Sequence, residues 1–227
     1  MSKKKHKGPS AQKQANPAQN AKRAPEPKRS KAGLIVLAVL VVAVLGVVAS
    51  SLAGQRGGGE ERTPTTDEAR YMGRLLPVGY QAPVVGQATT YSSAVEMTEL
   101  TAALSDTQLV LPVSDVTSAK LALFKYERPG ADSIPMIAYV KPSGKLFVGV
   151  SYCPPCQGEW QTIQPDGTLT CNACGTKRDL ESMVGISGAC KLYPLDEIPV
   201  TVVGSDVEVE RSALDSWTPQ PLDREVG

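Results

Sequence analysis

All five cysteines of this 227-residue chain lie within one segment, residues 151–191. Four of them form two C-x-x-C pairs, Cys153 with Cys156 and Cys171 with Cys174, separated by fourteen residues. Each pair can turn two thiolates toward one point, and a hairpin between the pairs can bring them together. The spacing therefore predicts a four-cysteine metal site, which is the most specific signal in the sequence.

The residues around the cysteines predict a mainly β fold. The turn signature Pro165-Asp166-Gly167 folds residues 159–170 into a hairpin that presents Cys156 and Cys171 side by side. Short segments rich in β-branched and aromatic residues, bounded by turn residues, predict further strands. These strands cover residues 108–112, 119–126, 133–140, 146–150, 198–203 and 206–211. Residues 93–104 have a helix-forming composition, which predicts a short surface helix.

We therefore expect a small β-rich domain over residues 75–227, with a Cys-rich zinc-ribbon or rubredoxin-like knuckle subdomain at residues 151–191. Before it, residues 54–74 are polar and contain three consecutive glycines, which predicts a flexible linker.

A run of 22 uncharged, mostly apolar residues occupies positions 32–53. As an α-helix this run would be about 33 Å long, which matches the hydrocarbon core of a bilayer. It predicts a single N-terminal transmembrane helix. The alternative is a cleavable signal peptide ending at Ser51-Leu52-Ala53, but so long a basic region before the apolar run favours an uncleaved anchor.

The charge distribution predicts the topology of this anchor. Residues 1–31 hold ten Lys and Arg against one acidic residue, whereas the rest of the chain holds 14 against 22. The first 31 residues therefore predict a disordered basic tail, which the positive-inside rule places in the cytoplasm. The C-terminal domain is then extracytoplasmic at the cell membrane. The tail ends directly at the span, so we expect it to contact the bilayer rather than nucleic acid.

The residue types limit the chemistry at the cysteines. The only histidine is His6, in the basic tail, so no histidine can complete a two-His iron-sulfur centre or act as a general base. Cysteine spacing alone leaves iron and zinc open as the metal. Two disulfides, Cys153–Cys156 and Cys171–Cys174, or a thiol-disulfide redox activity are further alternatives in an oxidising compartment. Cys190 makes the count odd, and three roles stay open for it: a ligand in place of one of the four, a cap on a cluster, or a buried free thiol.

Four segments in order resemble the FtrD-like membrane iron-sulfur proteins. They are VKPSG at 140–144, VSYCPPC at 150–156, GTLTCNACG at 167–175 and GISGACKLYPL at 185–195. The resemblance covers about residues 105–212. It implies a Cys-ligated iron-sulfur cluster or iron, in proteins associated with ferrous-iron uptake and membrane electron transfer. The matching cysteines are Cys153, Cys156, Cys171, Cys174 and Cys190.

Together these features predict a membrane-anchored metal protein. We expect the cofactor to be bound by Cys153, Cys156, Cys171 and Cys174, with Cys190 as a further metal ligand. The expected role is electron transfer linked to iron uptake or respiration, with a membrane permease or redox protein as partner, rather than catalysis. A structural zinc-ribbon interaction module and a thiol-disulfide redox protein are the alternatives.

Overall fold

The computed structural model describes residues 63–222. Three short helices occur in this part of the chain: α1 (Thr66–Tyr71), α2 (Val113–Ala119) and α3 (Arg211–Asp215). The strands are β1 (Val95–Glu96), β2 (Thr98–Glu99), β3 (Ala103–Leu104), β4 (Gln108–Pro112), β5 (Leu121–Tyr126), β6 (Ile134–Val140), β7 (Leu146–Val150), β8 (Gln161–Ile163), β9 (Thr168–Cys171), β10 (Lys177–Asp179), β11 (Gly185–Ser187), β12 (Val200–Val203) and β13 (Asp206–Glu210). The expectation of a mainly β domain is confirmed.

The strands form three sheets. The central sheet has the order β2-β5-β6-β7, the cysteine sheet β1-β8-β9-β10-β11 and the terminal sheet β12-β13-β4-β3. Phe124 and Met136 of the central sheet pack in one core with Val207 of the terminal sheet. On the other face, Leu123 packs in a second core with Leu169 of the cysteine sheet. The central sheet is therefore covered on both faces, which explains why every residue of β6 is buried.

Most of the predicted strands are confirmed. Strands β4 and β7 have the predicted bounds, and β5 and β6 begin within two residues of them. The hairpin over residues 159–170 forms as β8 and β9, and Gly204-Ser205 is the turn between β12 and β13. The sequence does not predict α2, which occupies the residues between β4 and β5.

The surface helix predicted over residues 93–104 is wrong. These residues form three two-residue strands, each of which pairs with a different sheet. Val95 pairs with Ile163, Thr98 with Ala122, and Ala103 with Val110. Met97 is buried between two of these strands. Pairing with strands distant in sequence therefore overrides the local helix-forming composition.

The flexible linker predicted over residues 54–74 is corrected from residue 66 onward, where α1 is folded onto the domain. Thr65 and Glu68 form a reciprocal capping box at its start. The second carboxylate oxygen of Glu68 accepts from the amide of Gly185 in β11 at 3.3 Å. Helix α1 is thereby attached to the cysteine sheet.

The predicted transmembrane helix at residues 32–53 and the predicted basic tail lie outside the described residues. Within residues 63–222, no helix combines the length and the apolar character that a membrane span requires.

A buried carboxylate, that of Asp196, joins the two ends of the described chain. It accepts two hydrogen bonds from the guanidinium of Arg74, at 2.7 and 2.8 Å. It also accepts from the indole nitrogen of Trp217 and from the side-chain amide of Gln220, each at 2.9 Å. A buried charge with this many donors is satisfied, whereas loss of the charge leaves the buried donors poorly paired.

We predict that Asp196→Asn lowers the free energy of unfolding by about 2–4 kcal/mol, because it removes the charge that Arg74 faces. Urea denaturation of the metal-loaded protein measures the change. The control is Lys177→Met, which removes an ion pair to Asp166 whose side chains are 39% and 51% exposed. This exposed pair should contribute less than about 1 kcal/mol. Equal losses in the two variants would contradict the assigned role of Asp196.

Candidate metal centre

Two turns of nearly identical backbone geometry carry the four paired cysteines. In the first, the amide of Cys153 donates to the carbonyl of Gly158, and the amide of Gln157 donates back to the carbonyl of Cys153. In the second, the amide of Cys171 donates to the carbonyl of Thr176, and the amide of Gly175 donates back to the carbonyl of Cys171. Each turn places its two cysteine side chains on the same side.

Both turns require a left-handed residue at the same position. Gly175 has φ +70°, and Gln157 has φ 55°. Glycine adopts this conformation without strain, whereas a residue with a Cβ adopts it at some energetic cost. In the sequence a glycine marks this position of the second turn, whereas Gln157 gives no such signal in the first. The first turn therefore relies on a strained Gln157 held by its two flanking hydrogen bonds.

The two turns bring four sulfur atoms to one point. The Sγ atoms of Cys153, Cys156, Cys171 and Cys174 all lie within 4.8 Å of one another. The Sγ atoms of Cys156 and Cys171 are 3.8 Å apart. Cys153 and Cys171 are buried and the other two are half-buried. The predicted pairing of the two C-x-x-C motifs across the β8–β9 hairpin is thus observed, and all five cysteines are free thiols.

The fifth cysteine packs beside the four. Cys190 is buried and belongs to the same cluster. Its amide donates to the hydroxyl of Thr176 at 3.1 Å, and this hydroxyl lies 3.3 Å from the Sγ of Cys174. The loop that carries Cys190 therefore folds back onto the site. Cys190 lies outside the set of four whose sulfurs are mutually within 4.8 Å, and its role as a ligand stays a prediction.

The pKa values of Cys153, Cys156 and Cys171 are shifted in different directions. A hydrogen bond from the Cys153 thiol, assisted by the amides of Cys174 and Ala173, lowers the pKa of Cys171 to about 4. The same hydrogen bond, together with burial, raises the pKa of Cys153 far above its usual value. Burial raises the pKa of Cys156 to about 12, although the amide of Gly158 acts against it. Backbone amides beside Cys171 and Cys156 therefore act to lower the pKa values of these two thiols.

Gly158 is where the backbone comes closest to the sulfurs. A Cβ at this position would lie 2.8 Å from the Sγ of Cys171 and 2.8 Å from the Cβ of Ala173. At Gly175, by contrast, a Cβ would meet no atom within 4 Å. Gly175 is thus required for its φ angle, and Gly158 is required for space. The close approach to the sulfurs is therefore at Gly158 and not at Gly175.

The donor set fits a single tetrahedral metal ion. Thiolates bound at about 2.3 Å around one ion are separated by about 3.8 Å along each tetrahedral edge. The separation of the Cys156 and Cys171 sulfurs equals this value, and no pair of the four sulfurs is more than 4.8 Å apart. A cluster of several irons distributes its cysteines over different iron atoms and therefore needs wider separations. Four sulfur ligands select zinc or iron rather than a hard cation.

The comparisons with known proteins agree with this site. A β-rich domain with four convergent cysteines is typical of proteins that bind a metal through thiolates. Residues 116–220 match the family model described as "Membrane iron-sulfur containing protein FtrD-like". The family resemblance that the cysteine segments predict is therefore confirmed over this part of the chain. No curated protein matches the chain.

We predict that metal affinity rises steeply with pH. Metal binding must displace at least the protons of Cys153 and Cys156, whose pKa values are raised, and displacing two or more protons makes the affinity rise at least roughly a hundredfold per pH unit. Zinc competition against a chromophoric chelator between pH 6.5 and 8 measures this slope. An affinity that stays constant over this range would contradict the assignment of these two thiols as ligands.

We predict that Gly158→Ala weakens metal binding and lowers the free energy of unfolding by about 1–3 kcal/mol, because the new methyl group displaces the Cys171 sulfur or Ala173. Chelator competition and urea denaturation measure the two effects. Gly86→Ala is the matched control, since a Cβ there lies 3.7 Å from the nearest atom, a side-chain carbon of Val140. Equal behaviour of the two variants would exclude a special role for Gly158.

Proposed function

We propose that this domain is a membrane-anchored, extracytoplasmic iron protein that transfers single electrons. In this proposal one iron ion is bound by Cys153, Cys156, Cys171 and Cys174. The single observation that carries the proposal is the convergence of these four sulfurs within 4.8 Å, in a segment that matches a membrane iron-sulfur family. Iron bound by four thiolates supplies a one-electron couple that needs no substrate pocket.

The burial of the ligands is suited to this role. Cys153 and Cys171 lie in the interior, where water is excluded from their sulfurs. Cys156 and Cys174 are half-buried and form the outer side of the site. Gln157, Gly158, Trp160 and Asn172 line a shallow surface depression next to the turns that hold these cysteines. An electron can therefore leave through a short path at this face, while the inner ligands stay dry.

We further propose that a redox partner docks at this depression. Trp160 is 43% exposed there, and an exposed tryptophan is a frequent anchor residue in interfaces. Gly158, two residues before Trp160, lies against the sulfurs of Cys156 and Cys171. We place the membrane permease or redox partner of the iron-uptake or respiratory proposal at this face.

A structural zinc site is the competing function, because the same 3.8 Å edge suits zinc equally well. The two proposals differ in what the protein contains after purification. Iron should give visible charge-transfer absorption that bleaches on reduction, and zinc should leave the protein colourless. Membrane localisation does not distinguish the two.

The deciding experiment is metal analysis and visible spectroscopy of the full-length protein purified anaerobically in detergent. We expect about one equivalent of iron per chain, with colour that disappears on addition of dithionite. Cys171→Ser should lose the metal, and Cys190→Ser should retain it if four ligands suffice. A colourless protein with one equivalent of zinc would overturn the electron-transfer proposal, and more than one iron per chain would overturn the single-ion site.

A further inference from the structure

Strand β10 carries two consecutive cations on opposite faces. Lys177 pairs with Thr170 of β9, and Arg178 pairs with Leu169. Leu169 and Cys171 are two residues apart in β9, so they share a face, and Arg178 shares it with them. Lys177 lies on the other face, where it is 39% exposed and paired with Asp166 at 2.8 Å. Both residues are positively charged and adjacent in sequence, but only Arg178 lies on the cysteine face.

Arg178 is completely buried, and no carboxylate pairs with it among the described residues. Its Nε and one terminal nitrogen donate to the carbonyl of Tyr193, at 3.0 and 2.9 Å. The same terminal nitrogen lies 3.5 Å from the Sγ of Cys153. The other terminal nitrogen is buried without a hydrogen-bond partner in the structure. A buried cation is strongly destabilising unless an anion faces it.

A second buried polar side chain lies on the same face. Gln161 of β8 pairs with Cys171, and the amide of Asn172 donates to the carbonyl of Trp160. This pattern makes Gln161 and Cys171 a non-hydrogen-bonded pair, whose side chains stand close together on one face. The side-chain oxygen and nitrogen of Gln161 are both buried without partners. Arg178 and Gln161 therefore place buried polar atoms on the face of Cys171 that no protein atom among the described residues satisfies.

We propose that Arg178 is the counter-cation of the four-thiolate centre. Four thiolates around a divalent ion carry a net charge of about −2, and around a trivalent ion about −1. A fixed positive charge in contact with Cys153 stabilises the more negative state more strongly. Arg178 therefore favours binding of a divalent metal and favours iron(II) over iron(III). The redox part of this inference rests on the proposed function, and the metal-affinity part does not.

The test compares three variants of the full-length protein in detergent. Arg178→Met removes the buried charge, Lys177→Met removes the neighbouring charge on the opposite face, and Arg178→Lys retains a charge at the buried position. Each variant is measured for zinc affinity by chelator competition and, after loading with iron, for midpoint potential by dithionite titration. The Lys177 variant controls for the general effect of losing one positive charge on β10.

For Arg178→Met we expect zinc affinity to fall at least about tenfold, and the equilibrium constant for one-electron reduction to fall at least about tenfold, which lowers the potential by about 59 mV. Lys177→Met should change both quantities less than about twofold, because exposed charges are screened. Arg178→Lys should recover at least half of each loss. If Arg178 were only structural, the midpoint potential would not fall in Arg178→Met and recover in Arg178→Lys.

Each outcome decides the matter. Equal effects of the Met variants at 177 and 178, or no effect of either, would overturn the inference. If Arg178→Met does not fold, Arg178→Lys decides, because it disturbs the hydrogen bonds to Tyr193 but keeps the charge. Near-wild-type affinity in that variant supports the counter-cation, and a loss of tenfold or more overturns it. If the wild-type protein binds no redox-active iron, the proposed function fails and the zinc affinities still test Arg178.

Discussion

Strand alternation in β9 is the constraint on which the metal site depends. Leu169 and Cys171 share one face of this strand, and Leu169 is buried against the central sheet. A slip of one residue in the β8–β9 register would expose Leu169 and turn Cys171 away from the other cysteines. The hydrophobic core and the metal site thus require the same register. Core packing therefore positions Cys171 before any metal arrives, and the metal then stabilises the register that the core selects.

Much of the fold can be predicted from sequence because its signals are local. The hairpins at Pro165-Asp166-Gly167 and at Gly204-Ser205 combine turn residues with flanking β-branched residues, and both form as predicted. Residues 93–104 lack such signals. They become strands only because partners in three different sheets reach them, and these partners lie up to about 70 residues away in sequence. Composition alone favours a helix there.

The candidate site likewise has features that the sequence predicts and features that it does not. Cysteine spacing predicts the four ligands and the hairpin between them, since both depend on short-range sequence. The left-handed Gln157 could not be predicted, because no glycine marks it. Nor could the different roles of Lys177 and Arg178, since neighbours in sequence reach opposite faces only when a strand forms. The identity of the bound metal depends on the donor atoms, their geometry and the metals available to the protein, and cysteine spacing alone does not specify it.

The contacts of Asp196 have a consequence for how the domain can be attached. Arg74 near the start of the described chain and Gln220 near its end bind the same carboxylate, and Arg74 also donates to the carbonyl of Thr218 at 2.6 Å. The two ends of the described chain therefore lie close together. A tether joined to either end would therefore start at nearly the same place on the domain, and new termini could be opened at an exposed turn such as that at Gly130.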